Sequence, residues 1–487
     1  SDNNADTIRL RDILGDPMIR ECWQFNYLID VDFLMSQFDE DVRSLIKVKV
    51  VHGSWKREAP NRIRIDESCA RYPNVEPIVA YMPEPFGTHH SKMMVLLRHD
   101  ELAQVVIHTA NMIPGDWANM CQAVWRSPLL PLQTSTSRSE AERSGAIGSG
   151  TRFKRDLLAY LNMYGNKKTG PLVRQLSQHD FSAIRAALVA SVPSKQKVSQ
   201  IDSKQETLWG WPALKDTLRH VPLTTGTKEE GHSTKPHIVV QISSIASLGQ
   251  TKKWLNDILF SSLTPFSTSP TTHPRYSIIF PTPDEIRRSL NGYGSGGSIH
   301  MKLQSAPQQK QLQYMRPHLC QWAGDRTDTN AVKREAGRRR AAPHIKTYIR
   351  FADAEKMDSI DWAMVTSANL STQAWGAAPN ANGEVRICSW EIGVVVWPDL
   401  FGSADVGSKE SVKMVPTFKR DLPVGVDNGP PGSNDRPGKS PAQPTTIIGF
   451  RMPYDLPLTP YSPEDVPWCA TAAHTEPDWL GQTWDGD

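Results

Sequence analysis

Residues 85–111 read PFGTHHSKMMVLLRHDELAQVVIHTAN, and residues 344–369 read HIKTYIRFADAEKMDSIDWAMVTSAN. Each stretch has a histidine two residues before a lysine, continues through apolar residues and ends on an Ala-Asn pair. Each is followed by a segment that ends in tryptophan, residues 122–125 and residues 391–397. The repeated order of polar residues indicates a duplicated unit. We expect its two copies to meet across a pseudo-twofold axis, each contributing half of one site.

The rest of the chain alternates between short apolar runs and segments with apolar residues at helical spacing. Apolar runs predict buried strands at Met93–Leu97, Val105–His108, His237–Ile242, Ser277–Phe280, Ala363–Thr366 and Ile392–Trp397. Helical spacing predicts helices at Arg152–Tyr164, Asp180–Ala190 and Thr251–Phe260. Strands that alternate with helices are typical of layered α/β proteins, so we predict that fold class.

Length and composition describe a large globular protein. A chain of 487 residues exceeds what one ordinary hydrophobic core supports, which favours two domains or one large duplicated fold. Hydrophobic residues make up 39% of the chain and charged residues 22%, as in globular rather than disordered proteins. No apolar run approaches the roughly 20 residues that cross a bilayer, and the first residues lack a signal-peptide pattern. We therefore predict no membrane partner.

Charge and cysteine content leave the partner open but indicate the compartment. The formal net charge of +3 is too small to predict nucleic-acid binding, which depends on local patches. The 6 cysteines form no C-x-x-C pair, so a disulfide framework and a structural zinc site are both disfavoured. These features predict a reducing compartment, either the nucleus or the cytosol.

Several polar segments interrupt the predicted elements. Residues 133–150, 223–235 and 402–446 are rich in Ser, Gly, Pro or charged residues, and we predict surface loops there. Residues 334–340 read REAGRRR, a basic run with two interpretations. A solvated loop is favoured, and a nuclear-localisation signal or DNA-binding patch is the alternative.

Strand geometry distinguishes the two adjacent histidines His89 and His90. Side chains alternate between the two faces of an extended strand. His90 and Lys92 therefore project to one side, whereas His89 projects to the other. The same rule places His344 and Lys346 on one side of their own strand.

Two such half-sites would bring together two imidazoles, two ammonium groups and two carboxamides. Ammonium and amide donors suit the nonbridging oxygens of a phosphodiester, whose negative charge grows in the transition state. One imidazole can attack phosphorus while the other protonates the leaving oxygen. Lysine supplies the positive charge that magnesium supplies in other phosphoryl-transfer enzymes, so we predict no metal and no other cofactor.

A third H-x-K pattern, His300-Met301-Lys302, follows a Gly-rich stretch. It has no matching downstream asparagine, so we interpret it as a loop or strand-edge feature. The 14 histidines also suggest a metal hydrolase, but the chain has no H-E-x-x-H motif and no Asp/His cluster with ligand spacing. A lysine two residues from each repeat histidine would also repel a cation, which disfavours zinc.

The repeat resembles the phospholipase D superfamily, whose signature is H-x-K-x4-D followed by an asparagine. This chain departs from that signature, because Leu97 and Phe351 stand where the two aspartates would be. The departure is similar to the tyrosyl-DNA phosphodiesterase family, which lacks both aspartates. Further segments that look like this family are VHGSWKREA (51–59), PFGTHHSKMM (85–94), SSIASLG (243–249), residues 366–376 and EIGV (391–394).

The resemblance implies a role for each histidine. His90 would be the nucleophile, and His344 the general acid that later serves as general base. Gln122 and Glu391 match the positions that orient the histidines in place of the missing aspartates. Such a partner fixes the tautomer and the ring angle of an imidazole. The sequence leaves open which of the two serves which histidine.

The resemblance also implies how the substrate is bound. The groups that hold the phosphate would be Lys92, Asn111, Lys346 and Asn369. Ser244 and Ser247 match serines that contact DNA backbone phosphates, and Phe86 matches an aromatic residue that stacks on DNA. Such contacts position a strand without reading its sequence. The alternatives are that Phe86 belongs to the core and that the serines are turn residues.

By the same resemblance we expect a duplicated phospholipase D-like α/β fold. Two mixed-sheet domains flanked by helices, residues 1–193 and 194–487, would enclose the active site in the cleft between them. The boundary would fall near Val192-Pro193, and the Pro/Gly/Ser-rich insertion near residues 402–446 would belong to the second domain. The implied reaction is hydrolysis of the 3′-phosphodiester between DNA and a tyrosine of stalled topoisomerase I, through a covalent phosphohistidine.

The expected partner is a single-stranded or duplex DNA end that carries a topoisomerase I-derived peptide or another 3′ adduct. The expected protein is a nuclear monomer. One rival is another nuclease or phospholipase of the superfamily, disfavoured by the missing aspartates and by residues 243–249. The other rival is a DNA-binding scaffold with an inactive site, disfavoured because both halves retain every polar member.

Overall fold

The computed structural model describes residues 4–134, 145–224, 235–266, 273–325, 332–402, 411–424 and 445–486. The strands of the first part are β1 (Ile19–Phe25), β2 (Lys47–His52), β3 (Val75–Val79), β4 (Met93–Arg98), β5 (Ala103–His108), β6 (Met120–Cys121) and β7 (Val124–Arg126). The later strands are β8 (Ala187–Ser191), β9 (Ser194–Lys197), β10 (His237–Gln241), β11 (Ser244–Ile245), β12 (Arg275–Ile279), β13 (His300–Met301), β14 (Leu319–Cys320), β15 (Ala342–Pro343), β16 (Thr347–Phe351), β17 (Ile360–Thr366), β18 (Glu384–Ile387), β19 (Glu391–Val396), β20 (Ser411–Thr417) and β21 (Thr445–Arg451).

The helices lie between these strands. They are α1 (Leu10–Leu14), α2 (Val31–Gln37), α3 (Pro60–Ala70), α4 (Pro114–Ala118), α5 (Gly150–Asn162), α6 (Asn166–Ser177), α7 (Gly210–Arg219), α8 (Ser261–Leu263, directly after a π-helix at Trp254–Phe260), α9 (Pro283–Arg287), α10 (Ala306–Met315) and α11 (Thr372–Trp375). Short 3-10 helices cover Val198–Gln200, Gly292–Ser298, Arg316–His318 and Pro398–Phe401. None of the helices in the described ranges is long and apolar enough to cross a membrane.

Two mixed sheets repeat the same strand arrangement. The first has the order β3-β2-β1-β4-β5-β7, and the second has the order β14-β12-β10-β16-β17-β19-β8. In both, the three strands of the sheet that precede the H-x-K motif pair in parallel, β1 with β2 and β2 with β3 in the first sheet, β10 with β12 and β12 with β14 in the second. The strands that follow the motif, β4 and β16, are antiparallel to both neighbours. The two halves are therefore copies of one fold, as the repeat predicted.

A shared apolar core joins the two sheets. It contains Trp23 and Phe25 of the first sheet, Phe153 and Leu157 of α5, and Ile392 of the second sheet, all nearly fully buried. Helix α5 fits this place because its apolar residues recur at three- and four-residue spacing and form one face. The hydroxyl of Ser149 accepts a hydrogen bond from the Arg152 backbone and caps the start of the helix.

Most predicted elements are confirmed, and one helix prediction is wrong. Each predicted strand overlaps an observed one, and the prediction of a helix at Arg152–Tyr164 is confirmed by α5. Within Asp180–Ala190, however, the chain turns and then forms β8, which pairs with β19. All residues of β8 are buried, and a short apolar run covered on both faces has no periodicity that distinguishes strand from helix. The chain thus joins the second sheet at Ala187, before the predicted boundary at Val192-Pro193.

The three polar segments predicted to be surface loops are only partly described by the structure. Residues 135–144, 225–234, 403–410 and 425–444, which contain most of the three predicted loops, lie outside the described residues. The prediction of a continuous loop at 402–446 is wrong for β20, which pairs in parallel with β21. β20 mixes exposed, half-buried and buried residues, and a strand with a solvated face resembles a loop in composition.

The basic run at residues 334–340 is bound to the rest of the protein. The guanidinium of Arg334 lies over the Phe418 ring and donates to the Met357 carbonyl oxygen. Arg339 donates to the carboxylate of Asp455. The favoured interpretation, a solvated loop, is therefore wrong for Arg334 and Arg339, which are bound to other parts of the protein.

Candidate active site

Two short backbone pairings bring the halves of the repeat together. In the first, the segment before Lys92 runs parallel to the start of β19. The Trp390 backbone donates to the Thr88 carbonyl oxygen at 2.9 Å, and the His90 backbone donates to the Trp390 carbonyl oxygen at 3.0 Å. This pairing places the side chain of Glu391 beside that of His90.

The second pairing is the counterpart of the first. β15 pairs in parallel with β6, and the His344 backbone donates to the Cys121 carbonyl oxygen at 3.2 Å. Gln122 therefore stands beside His344. In each case the segment before one motif pairs with the segment before the other half's orienting residue.

Each histidine is thus bound by a residue of the opposite half. The Nδ1 atom of His90 lies 2.9 Å from a carboxylate oxygen of Glu391. The Nδ1 atom of His344 lies 3.1 Å from Nε2 and 3.2 Å from Oε1 of Gln122. Because both contacts use Nδ1, both Nε2 atoms remain for chemistry. Of the two pairings that the sequence left open, the structure has Glu391 in contact with His90 and Gln122 in contact with His344.

A hydroxyl group supports each orienting residue. Ser367 donates to the carboxylate of Glu391, and Thr109 donates to Oε1 of Gln122 at 2.8 Å. Neither hydroxyl is among the site residues predicted from the sequence. The signal was present, because Thr109 and Ser367 both stand two residues before the repeat asparagine.

Both lysines are fully buried beside the histidines. Lys92 and Lys346 have no measurable exposure, and each ammonium donates to the carbonyl oxygen of the histidine two residues earlier. The Lys346 ammonium is also 3.4 Å from Nε2 of His344. Buried ammonium groups need negative partners, and an incoming phosphate is one.

The two asparagines are fixed through their carboxamide oxygens. Oδ1 of Asn369 accepts from the backbones of Ser243 and Ser244, both at 3.0 Å. Oδ1 of Asn111 accepts from the Leu28 backbone at 3.4 Å. This orientation leaves the amide hydrogens of Asn369 as its donors to a substrate.

His89 and His90 have separate environments. His89 is buried, and its ring nitrogens lie 2.9 Å from the Asn26 carbonyl oxygen and 2.7 Å from the Tyr164 hydroxyl. Its burial lowers its pKa to about 3, so it stays neutral. The side chain of His90 is 16% exposed and touches the ring of Tyr27. Only His90 of this pair lies beside Lys92 and Glu391.

The electrostatics of the site favour neutral imidazoles in the free protein. Burial lowers the pKa of His90, and Glu391 partly opposes this. Burial and then the charges of Lys346 and Lys92 lower the pKa of His344 well below its usual value. Burial lowers the pKa of Lys92 to about 8, partly opposed by Glu391. A bound phosphate would reverse these shifts, because its charge stabilises the cations.

The residues predicted to contact DNA differ in their exposure. Phe86 is 79% exposed, so the alternative that it belongs to the core is wrong. Ser244 is half-buried and donates its backbone N–H to Asn369. Ser247 is exposed in the irregular segment that follows β11. Ser244 is the first residue of β11, so the alternative that it is a turn residue is wrong.

The third H-x-K pattern lies at the surface, and the His300 backbone donates to the Ser243 carbonyl oxygen at 3.0 Å. His300 and Lys302 are both exposed, and β13 pairs with β11 in a separate two-stranded sheet. The prediction of a strand-edge feature is confirmed. Among the described residues, no group of three His, Cys, Asp or Glu side chains could hold a metal ion.

The comparison with protein families agrees with this geometry. A family model described as tyrosyl-DNA phosphodiesterase matches residues 1–462. The chain belongs to the tyrosyl-DNA phosphodiesterase family. It is 30% identical to the probable tyrosyl-DNA phosphodiesterase of Schizosaccharomyces pombe, over 99% of this chain and 92% of that relative. Tyrosyl-DNA phosphodiesterase 1 of Arabidopsis thaliana is 28% identical, over 99% of this chain and 74% of that relative.

Solved structures in the tyrosyl-DNA phosphodiesterase family share the fold. The crystal structure of the yeast tyrosyl-DNA phosphodiesterase matches with a TM-score of 0.64 at 20% identity, covering 96% of each chain. The predicted duplicated phospholipase D-like α/β fold is confirmed. Family membership identifies the chain as a phosphodiesterase of DNA repair.

Proposed function

We propose that the protein hydrolyses the phosphodiester bond between a DNA 3′ end and a tyrosine, through a covalent phosphohistidine on His90. One observation carries the proposal. In a member of this family, two imidazoles are each oriented through Nδ1 by the opposite half, beside two buried lysines. This arrangement supplies a nucleophile, a proton donor and positive charge in one place.

The first step transfers the DNA phosphate to His90. Its Nε2 lone pair forms a bond to phosphorus while the bond from phosphorus to the tyrosine oxygen breaks. His344, once protonated, gives its Nε2 proton to the leaving oxygen. Glu391 stabilises the cationic phosphohistidine through Nδ1, from 2.9 Å in the free protein.

The second step returns His90 to its starting state. His344 is now neutral and takes a proton from water, whose oxygen attacks phosphorus. The phosphorus–nitrogen bond breaks, and DNA with a 3′-phosphate leaves. The proton gained by His344 prepares it for the next cycle, so proton uptake and release balance over one turnover.

The remaining polar residues bind the phosphate. Lys92 and Lys346 neutralise its nonbridging oxygens, and Asn111 and Asn369 donate amide hydrogens to them. Because the lysines carry the positive charge, the reaction needs no metal ion or other cofactor.

The substrate is a DNA 3′ end, single-stranded or duplex, that carries a topoisomerase I-derived peptide or another adduct. Phe86 is exposed, as a ring that stacks on a base must be. Ser244 and Ser247 contact backbone phosphates of the bound strand. We place the protein in the nucleus, where stalled topoisomerase I is found, and expect it to act as a monomer.

A comparison of substrates tests this function. The enzyme should convert a 3′-phosphotyrosyl oligonucleotide to the 3′-phosphate and should leave phosphatidylcholine intact. His90→Ala is the control for contaminating nucleases and should show no turnover. Hydrolysis of the lipid, or no turnover of the oligonucleotide by native protein, would contradict the proposal.

A further inference from the structure

The two orienting residues, Glu391 and Gln122, differ in whether they determine the tautomer of the histidine they contact. Glu391 is a carboxylate and only accepts hydrogen bonds, so it holds a proton on Nδ1 of His90. Gln122 presents both its nitrogen and its oxygen to Nδ1 of His344, at 3.1 Å and 3.2 Å. An amide that offers a donor and an acceptor at nearly equal distances does not by itself fix which imidazole tautomer is present.

A second carboxylate lies beside the same nitrogen. One oxygen of Asp116, in α4, is 3.5 Å from Nδ1 of His344. The same oxygen accepts from the Asn111 backbone at 2.7 Å, which holds the carboxylate in place. Asp116 is 1% exposed, so its charge is not screened by bulk water.

In the internal repeat, only the first half has a carboxylate at this position. Asp116-Trp117 and Ala374-Trp375 occupy the same positions after the repeat asparagines. In the second half, the Ser371 hydroxyl accepts from the backbones of Gln373 and Ala374, and the turn forms with an alanine. Each half therefore supplies one carboxylate, but at different places: Asp116 near His344, and Glu391 on His90.

The positive charges around His344 make a carboxylate at this place favourable. The nearby Lys346, Lys92 of the other half and His90 all disfavour a cationic His344, and a hydrogen bond to the Thr109 backbone favours it. Asp116 and Glu391 are the carboxylates that raise the pKa of Lys346 against its burial. Burial raises the pKa of Asp116, while the Asn111 backbone and the two lysines favour its charged form.

We infer that Asp116 is a positioning residue that fixes the Nδ1–H tautomer of His344 and stabilises its imidazolium form. With the proton held on Nδ1 by two acceptors, Nε2 is the atom that gives and takes protons. Gln122 then accepts through Oε1, which the Thr109 hydroxyl also binds at 2.8 Å. The inference deepens the proposed function and rests on its role for His344.

The first test measures the tautomer directly in the full chain. Nitrogen-15 spectra of histidine-labelled protein report which ring nitrogen carries the proton, and His344→Gln assigns the signal. The native protein should show the Nδ1–H form, and Asp116→Asn should shift His344 towards a mixture or the Nε2–H form. An unchanged tautomer in Asp116→Asn would overturn the inference. This readout needs no turnover, so it stands even if the proposed substrate is wrong.

The second test follows tyrosine release against pH in single turnovers. Release needs protonated His344, so its rate falls at high pH. Asp116→Asn should move this alkaline limb to lower pH and slow release at neutral pH by roughly tenfold or more, because the imidazolium loses its counter-charge. The carboxamide of the substituted asparagine still accepts the hydrogen bond from the Asn111 backbone. If Asp116 had only a structural role, the pH at which the rate of release falls would therefore not change.

Gln122→Glu provides the decisive partner variant. In the double variant with Asp116→Asn, Gln122→Glu restores a carboxylate at Nδ1 of His344. The alkaline limb and the rate of tyrosine release should then return towards their native values. Placed alone, Gln122→Glu should move the limb to higher pH, which tests the inference even if Asp116→Asn does not fold. A limb that stays fixed in Gln122→Glu would overturn it.

Discussion

Glu391 and Gln122 occupy equivalent places beside the two histidines, yet one is charged and the other is neutral. A carboxylate at Nδ1 makes His90 more nucleophilic and stabilises the cation that forms when Nε2 binds phosphorus. Gln122 is neutral and adds no negative charge beside His344, whose pKa lies well below its usual value in the free protein. Asp116 and the substrate phosphate therefore supply the negative charge with which this imidazole holds a proton. The asymmetry at these two positions agrees with different roles for two histidines in similar sequence contexts.

Substitutions of the two histidines should therefore block different steps of the reaction. His90→Ala removes the nucleophile, so no protein–DNA adduct should form. His344→Asn should slow the second step more than the first, by about 100-fold or more, because a phenol with a pKa near 10 leaves with partial help while water needs a base. Denaturing electrophoresis of labelled oligonucleotide should show a slow, protease-sensitive band for His344→Asn. A band with His90→Ala and none with His344→Asn would reverse the assignment.

The exposed H-x-K pattern gives a matched control for this chemistry. His300→Ala and Lys302→Ala should leave turnover within a few-fold of native, because both side chains are exposed at a sheet edge. Steady-state rates on the phosphotyrosyl oligonucleotide provide the measurement. A collapse of kcat in a variant with a native circular dichroism spectrum would show that the pattern belongs to the site.

At the scale of elements, the site depends on the pairing of two irregular segments. The chain from Glu84 to His90 runs beside Cys388–Glu391 and makes close backbone contacts there. Gly87 lies where a methyl group would overlap the Cys388 carbonyl oxygen. A glycine is thus required by close approach, and the distance between His90 and Glu391 depends on it.

Gly87→Ala should separate these segments. We expect a loss of stability of about 1–3 kcal/mol, the usual cost of an overpacked site, and a larger relative loss of kcat because His90 moves away from Glu391. Gly294→Ala is the control, since a methyl group there meets no atom within 4 Å. Thermal unfolding and kcat, measured on both variants, compare the effects. If the two variants had the same stability and the same kcat, the pairing of the two segments would tolerate the added methyl group.

At the scale of the whole molecule, each half contributes one lysine to a buried cluster with two carboxylates nearby. Lys92 and Lys346 are fully buried, and their charges are opposed by Glu391 and Asp116. The fold thus gathers two ammonium groups and two carboxylates from residues that are far apart in sequence. Their charges balance in the free protein, and a bound phosphodiester supplies the counter-charge for a protonated His344.

Turnover should therefore survive chelation. In excess EDTA the rate on the 3′-phosphotyrosyl oligonucleotide should stay within a few-fold of the untreated rate, because lysines supply the charge that a metal would supply. Lys92→Met should abolish activity under the same conditions. Loss of activity in EDTA with recovery on adding magnesium or zinc would refute this mechanism.

The sequence by itself determined the duplicated fold, the strands that carry the two motifs and the identity of the paired residues. These features depend on local order: apolar runs, the alternation of side chains along a strand, and the repeated His, Lys and Asn. Local order failed at β8, because a buried apolar run has no period of its own and its pairing with β19 decides its conformation.

Only the tertiary structure decided how the two copies share their residues. Glu391 reaches His90 and Gln122 reaches His344 because each motif segment pairs with the opposite half. Asp116 acquires a partner in His344 for the same reason. No spacing along the chain encodes these contacts, since they join residues more than 200 positions apart and depend on how the two sheets meet.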